Sequence, residues 1–297
     1  MSTLLPLIYL IAGMTLGRFY PTIREPLSKI VTRIIIPYVI IYNLADYHPG
    51  TAVLAVGGFL YCLVMFGLAK LFWRHDRMAP LLVSYINFAW LALPVAIALF
   101  GDEASRVVIS AYIGNSVFGN TFSVMVLQKQ HDYKSLILKT LRSPAIIAVF
   151  IGIILRLVYP QITELDLIHW GFQGAKIAMS IMGMCILGIW LYSAKITTQS
   201  VISDIPLSIV RFFLGYIVLF GFYHIAVYFD ILPSADLTSL ILCPMMPPAA
   251  NLVVLETYYL RTGTSAKRIA SGTVIALFLL GVFAVLDLMG FLPWLHS

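Results

Sequence analysis

Residues 86–101 read INFAWLALPVAIALFG, and residues 243–259 read CPMMPPAANLVVLETYY. Both stretches are apolar enough for a membrane, and both are interrupted in the same manner. Asn87 and Pro94 lie in the first, and Pro244, Pro247, Pro248 and Asn251 in the second. Proline removes a backbone donor and its ring clashes with the preceding turn, so each helix is expected to kink or open there. Opened backbone at membrane depth is tolerated only where protein encloses it or a watery cavity meets it. Paired interruptions at corresponding places of two halves point to the binding site of a transporter fold.

The 297-residue chain around these stretches is 61% hydrophobic and 11% charged, with a mean hydropathy of +0.95. That composition fits lipid as solvent, and the lipid bilayer is the first expected partner. At roughly 20 apolar residues per span, about ten spans are read. They lie near 4–20, 27–46, 51–72, 80–100, 105–127, 144–160, 168–193, 204–229, 238–260 and 266–290. The first has no basic leader and no small-residue cleavage site, so it reads as a retained span.

The placement of charge sets the orientation. With the N-terminus outside, all Lys and Arg but Arg106, Arg156 and Lys176 fall on the cytoplasmic side or at cytoplasmic span ends. This bias is the positive-inside pattern. It explains the net charge of +6 as topology and excludes a nucleic-acid surface. Both termini are expected outside, on the periplasmic face of a bacterial inner membrane. Residues 1–127 hold five spans, 128–143 form a cytoplasmic connecting loop, and 144–297 hold five more. An odd number of spans per half inverts the second half relative to the first, with the broken span fourth in each. The expected fold is an all-α polytopic membrane protein of ten helices in two inverted five-helix repeats.

Four asparagines are candidate substrate-binding residues: Asn87 and Asn251 at the interruptions, Asn115 in the fifth span, and Asn43 near the outer end of the second. An amide offers two donors and two acceptor lone pairs, and leaving them unmade in hydrocarbon costs several kcal/mol. The bland alternative is an interhelical hydrogen bond worth about 0.6 kcal/mol. Half-helix N-termini at the breaks carry unpaired N–H groups and a positive dipole end, which favour an anion.

Three titratable groups are candidates for coupling or gating. Lys176 in the seventh span could attract an anion or hold a gate, or could snorkel to the headgroups beside Trp170. Glu256 could carry a proton, or pair with Arg261 or Lys267. His224 in the eighth span could titrate, or be a satisfied structural group.

Cys62, Cys185 and Cys243 fall in different spans with no CxxC spacing, so neither a disulfide framework nor a metal site is expected. No Walker loop, HExxH or GxSxG is present. No cofactor is expected, nor an ATP-driven pump on this chain alone, and the chain does not read as an enzyme.

Asn87, Pro94 seven on, and Gly101 seven further resemble the fourth span of the auxin efflux carrier family. Met246-Pro247-Pro248-Ala249-Ala250-Asn251 resembles that family's ninth-span MPPAxN segment. Gly13, Gly17, Leu27-Ser28-Lys29 and Pro37 are similar to its first two spans, as are Ser143-Pro144 and Gly188 to later ones. The family includes plant PIN-type auxin transporters and bacterial permeases annotated for malonate or malate. The resemblance covers essentially the whole chain and implies that helices 4 and 9 cross at a central site. It implies a transport domain moving like an elevator against a scaffold of spans 1, 2, 6 and 7. It further implies a carboxylate substrate, a homodimer, Asn87 and Asn251 as substrate-lining residues, and Pro94, Pro247 and Pro248 as the break-makers. Glu256 stands where the family carries a small residue, and Met179-Ser180 where many members carry proline.

The function expected is a membrane carrier of a small organic anion, with Na+ or H+ as candidate coupling ions. The alternatives are a sodium-coupled symporter of bile-acid type, whose fold the family shares, an intramembrane enzyme acting on lipids, and a ligand sensor that moves nothing.

Overall fold

The computed structural model describes residues 5–46, 48, 50–128, 138, 141–229, 231 and 236–292. The chain termini and most of the expected connecting loop, including Lys129, Lys134 and Lys139, lie outside the described residues. Among the described residues every regular element is helical. They are α1 (Leu5–Phe19), α2 (Arg24–Ile30), α3 (Ile36–Asp46), α4 (Thr51–Phe72), α5 (Met78–Ser84), α6 (Leu93–Phe100) and α7 (Glu103–Asn120). There follow α8 (Phe122–Leu127), α9 (Pro144–Val158), α10 (Asp166–Ser193), α11 (Thr198–Tyr228), α12 (Asp236–Leu240), α13 (Leu252–Leu260) and α14 (Ser265–Leu288).

Five of the described helices are long and apolar enough to cross a membrane: Pro21–Asp46, Thr51–Phe72, Asp166–Ser193, Thr198–Tyr228 and Ser265–Leu288. The protein is membrane-embedded and all-helical. The remaining expected spans are wound in shorter pieces. α1 and α9 have 15 residues each, about 22 Å at the helical rise, against a hydrocarbon core of ~30 Å. The span read at 105–127 divides at Thr121, whose hydroxyl donates back to Val117 O at 2.7 Å. The spans read at 80–100 and 238–260 are interrupted outright. A ruler of apolar residues counts membrane-compatible sequence, whereas a continuous helix also needs every backbone donor in register.

Local chemistry explains the irregularities. Pro37 cannot donate to the carbonyl four residues back, and a π-turn over Val31–Ile35 precedes it. Ser143 caps α9 by accepting from Ile146 N at 3.3 Å, with Pro144 in the first turn. Thr197 and Ser200 form a reciprocal capping box at the start of α11.

The most extensive packing falls into two groups. The helix Pro21–Asp46 packs against α9 and α10, and α1 lies along α10. In the other group α4 packs against α5, α7 and α11, and α11 against α14. Close approach within each group needs glycine. A Cβ at Gly188 would overlap Leu10 O, and one at Gly114 would overlap Ala55 O, so backbones touch where other residues would hold them apart. α6 and the first interrupted segment contact both groups, and the second interrupted segment packs against α11 and α14 of the second.

Candidate functional site

The first interruption begins where α5 ends. Asp76 Oδ1 accepts from Met78 N at 2.7 Å and Ala79 N at 3.0 Å, fixing the start of this short helix. Tyr85 then adopts extended backbone, Asn87 turns the chain, and a π-turn over Phe88–Ala92 leads into α6. The chain opens at residues 85–87. Pro94 sits seven residues later, in the first turn of α6, where its missing donor meets the widened π-turn rather than the opening. The second interruption runs from the 3-10 turn Cys243–Met245 through extended Met246 to the start of α13 after Asn251. Pro247 and Pro248 lack N–H groups, so this stretch cannot wind as helix and offers carbonyls instead.

The two interruptions pair antiparallel at Ile86 and Pro248. Asn87 N donates to Pro247 O at 2.9 Å, and Ala249 N donates to Tyr85 O at 2.8 Å. Two opened helices thus satisfy each other's backbone, which is what burial in an apolar interior demands. Leu81, Leu82, Ile86, Leu91 and Phe118 are fully buried around them.

A cavity of about 60 Å³ lies at this crossing. Asn87, Asn115 and Asn251 all line it, with Tyr85, Tyr112 and Thr32. Each asparagine is differently employed. Asn87 Oδ1 accepts from Trp90 N at 3.2 Å as an N-cap, while its Nδ2 is buried with no partner. Asn115 Nδ2 donates to Ile86 O at 3.1 Å, and Asn115 Oδ1 accepts from Cys62 Sγ at 3.3 Å. Asn251 Nδ2 donates to Tyr85 Oη at 2.8 Å, leaving the phenolic proton for another acceptor. The starts of two helical segments, at Phe88 and Leu252, meet here with their positive ends. The lining therefore presents an unspent amide donor, a phenol and two helix N-termini, a set suited to holding an anionic oxygen.

Asn43 does not line this cavity. It accepts from Ser110 Oγ at 3.1 Å between α3 and α7. Lys176, Glu256 and His224 are also elsewhere, and at three separate places. Lys176 is buried and paired with Asp102 at 2.7 Å. Glu256 accepts from the Thr262 and Thr264 hydroxyls, Thr264 N, Ser265 N and the Ser265 hydroxyl. It thereby ties the end of α13 to the first turn of α14 rather than pairing with Arg261 or Lys267. His224 is exposed on α11, beside the Tyr223 ring.

Sequence reasoning passed over Tyr85 and Tyr112, which carry no charge and sit among apolar residues. It also placed Arg211 with the cytoplasmic charges. Arg211 is fully buried, its guanidinium 3.4 Å from Leu82 O near the end of α5 and 3.4 Å from Ser208 Oγ. Its position seven residues into the span read at 204–229 was the available signal, since a charge inside a span marks a functional or structural centre. No protein-family model matches the chain, and no curated protein matches it significantly.

Proposed function

We propose that this protein is a membrane carrier for a small organic anion, with the crossing of the two interrupted segments as its substrate site. The observation that carries this reading is the unpartnered Nδ2 of Asn87, held 5% exposed in the wall of the cavity between two helix N-termini. A buried donor without an acceptor costs about 1–3 kcal/mol. A substrate carboxylate entering the cavity relieves that cost. At about 60 Å³ the cavity holds a few waters or one carboxylate group. The substrate's remaining atoms need space that opens when the surrounding helices part.

The two packing groups support an elevator-like cycle. α1, Pro21–Asp46, α9 and α10 act as scaffold, and the group containing α4, α7, α11 and α14 carries the crossing past it. In this reading the ten apolar segments form two inverted repeats of five, as in the auxin efflux carrier family that the sequence resembles. The termini lie outside a bacterial inner membrane, and two copies form a dimer. Na+ or H+ supplies the coupling, with bile-acid-type sodium symport as the variant of the same cycle.

The test is charge movement on a solid-supported membrane carrying proteoliposomes. A dicarboxylate, an indole carboxylate and a bile acid are applied with and without Na+ across a pH range. A ligand-specific current absent from folded Asn87→Ala protein is the expected result. Wild-type current in that variant removes the crossing as the site. Strict Na+ dependence selects the symporter variant. Binding without current or labelled-ligand counterflow makes the protein a sensor.

A further inference from the structure

Lys176 lies on α10 with its side chain 5% exposed, a costly position for an ammonium. Asp102 compensates it with both oxygens, at 2.7 and 2.8 Å, and Ser105 Oγ lies 3.4 Å away. The ammonium also faces the Phe172 ring at 5.0 Å. The two partners are unequal, because the Asp102 side chain is 62% exposed. Asp102 follows Gly101, whose φ of +83° is open to glycine at little cost. It also occupies the N-cap position of α7, yet its side chain caps nothing there. An aspartate at an N-cap ordinarily accepts from the amides of the first turn. This one forgoes that role and reaches across to α10. Beside the pair is a cavity of about 260 Å³, bounded by Tyr9, Pro94, Ile97, Gln173 and Ser180 as well as by Lys176 and Asp102 themselves.

We infer that Lys176 is a second carboxylate-binding site, at the end of the bundle expected to face outside, and that Asp102 is its resident plug. The ammonium is fixed and buried, as a binding site requires. The carboxylate it holds is exposed, sits beside a glycine hinge, and has a second place to go, on the amides of its own helix start. A ligand carboxylate entering the cavity takes the Asp102 position on Lys176, and Asp102 turns back as the N-cap of α7. Since Asp102 lies one residue beyond α6, past Gly101, the exchange removes the ion pair that ties this end of α6 to α10. The role of this exchange in transport rests on the anion-carrier reading. The existence of the site does not.

The test uses the full-length protein in nanodiscs, with thermal unfolding followed in potassium acetate against potassium chloride of equal ionic strength. Asp102→Ala leaves the ammonium without its plug. The expected result is a lowered melting temperature that acetate restores saturably, with a midpoint at least tenfold below any acetate effect on the wild type. The response persists in Asp102→Ala with Asn87→Ala and disappears in Asp102→Ala with Lys176→Met. Should Asp102→Ala not fold, Asp102→Asn, which keeps an acceptor on the ammonium, carries the same comparison. No acetate response beyond that of the wild type overturns the site. A response lost with Asn87→Ala but kept with Lys176→Met also overturns it and assigns the acetate to the crossing. Conversely, a site present at Lys176 with no transport current leaves this inference standing and removes the carrier reading alone.

Discussion

The two interruptions look alike in sequence, each placing an asparagine just before an apolar helix, but they use it in opposite ways. Asn87 is buried and turns inward on its own helix, accepting from Trp90 N. Asn251 is exposed, caps nothing on its own helix, and reaches across to Tyr85 Oη. The neighbouring prolines account for the difference. Pro247 and Pro248 fix φ and remove two donors, so the second segment is stiff without a cap. The first segment has no proline at its opening and relies on Asn87 to start the next helical segment. One asparagine shapes its own strand of the crossing, and the other fastens the two strands together. Only the first has an amide nitrogen with no partner at all.

That contrast can be broken in several places. The largest effect is expected for Asn87→Asp. It retains the capping oxygen but replaces the free donor with a charge that repels an anion. Flux should fall on the order of 100-fold, corresponding to about 3 kcal/mol, with the melting temperature little changed. Unchanged flux, with the capping oxygen retained, would mean that Asn87 is only a cap. Next is Glu256→Gln, beyond the second interruption. Losing a charged acceptor of this many hydrogen bonds should cost about 2 kcal/mol in thermal or denaturant unfolding. The pH profile of transport should not move, because the carboxylate fastens α13 to α14 away from the crossing. A shifted profile would make Glu256 part of the coupling. Asn251→Ala and Tyr85→Phe should each cost about 1 kcal/mol of stability, and the double variant little more than either. Additive losses would show that the bond between them does not fasten the crossing. Smallest is His224→Ala, on the exposed face of α11, expected within about 0.5 kcal/mol of wild type and without effect on flux.

The positions of both interruptions were legible because proline and asparagine act locally. Pro247-Pro248 cannot lie in the interior of a helix, and an amide in an apolar stretch must find a partner. Pro94 was read as the opening of the first segment, yet the chain opens seven residues earlier. There Tyr85 O and Asn87 N exchange helical partners for Ala249 N and Pro247 O. Those bonds are between residues some 160 positions apart on the chain, and no local propensity encodes them. Asn115 was singled out for being an amide in a span, but nothing local distinguished it from Asn43. One lines the cavity and the other joins α3 to α7 because of how α7 is rotated between its neighbours.

Lys176 and Arg211 show the same division. Each is a charge in a span, and the sequence alone determines that such a charge must be answered. Which group answers is decided by tertiary contact: Asp102, 74 residues away, for Lys176, and the carbonyl of Leu82 with the Ser208 hydroxyl for Arg211. The sequence by itself determined a lipid-embedded, all-helical chain with two helices that cannot stay whole, because apolar content and proline act residue by residue. Only the tertiary structure decided that the two openings satisfy one another, that three of the four asparagines converge, and that the Nδ2 of Asn87 is left without a partner. The physical reason is that hydrogen bonds and ion pairs in an apolar interior are settled by whichever groups the helix packing brings within 3 Å.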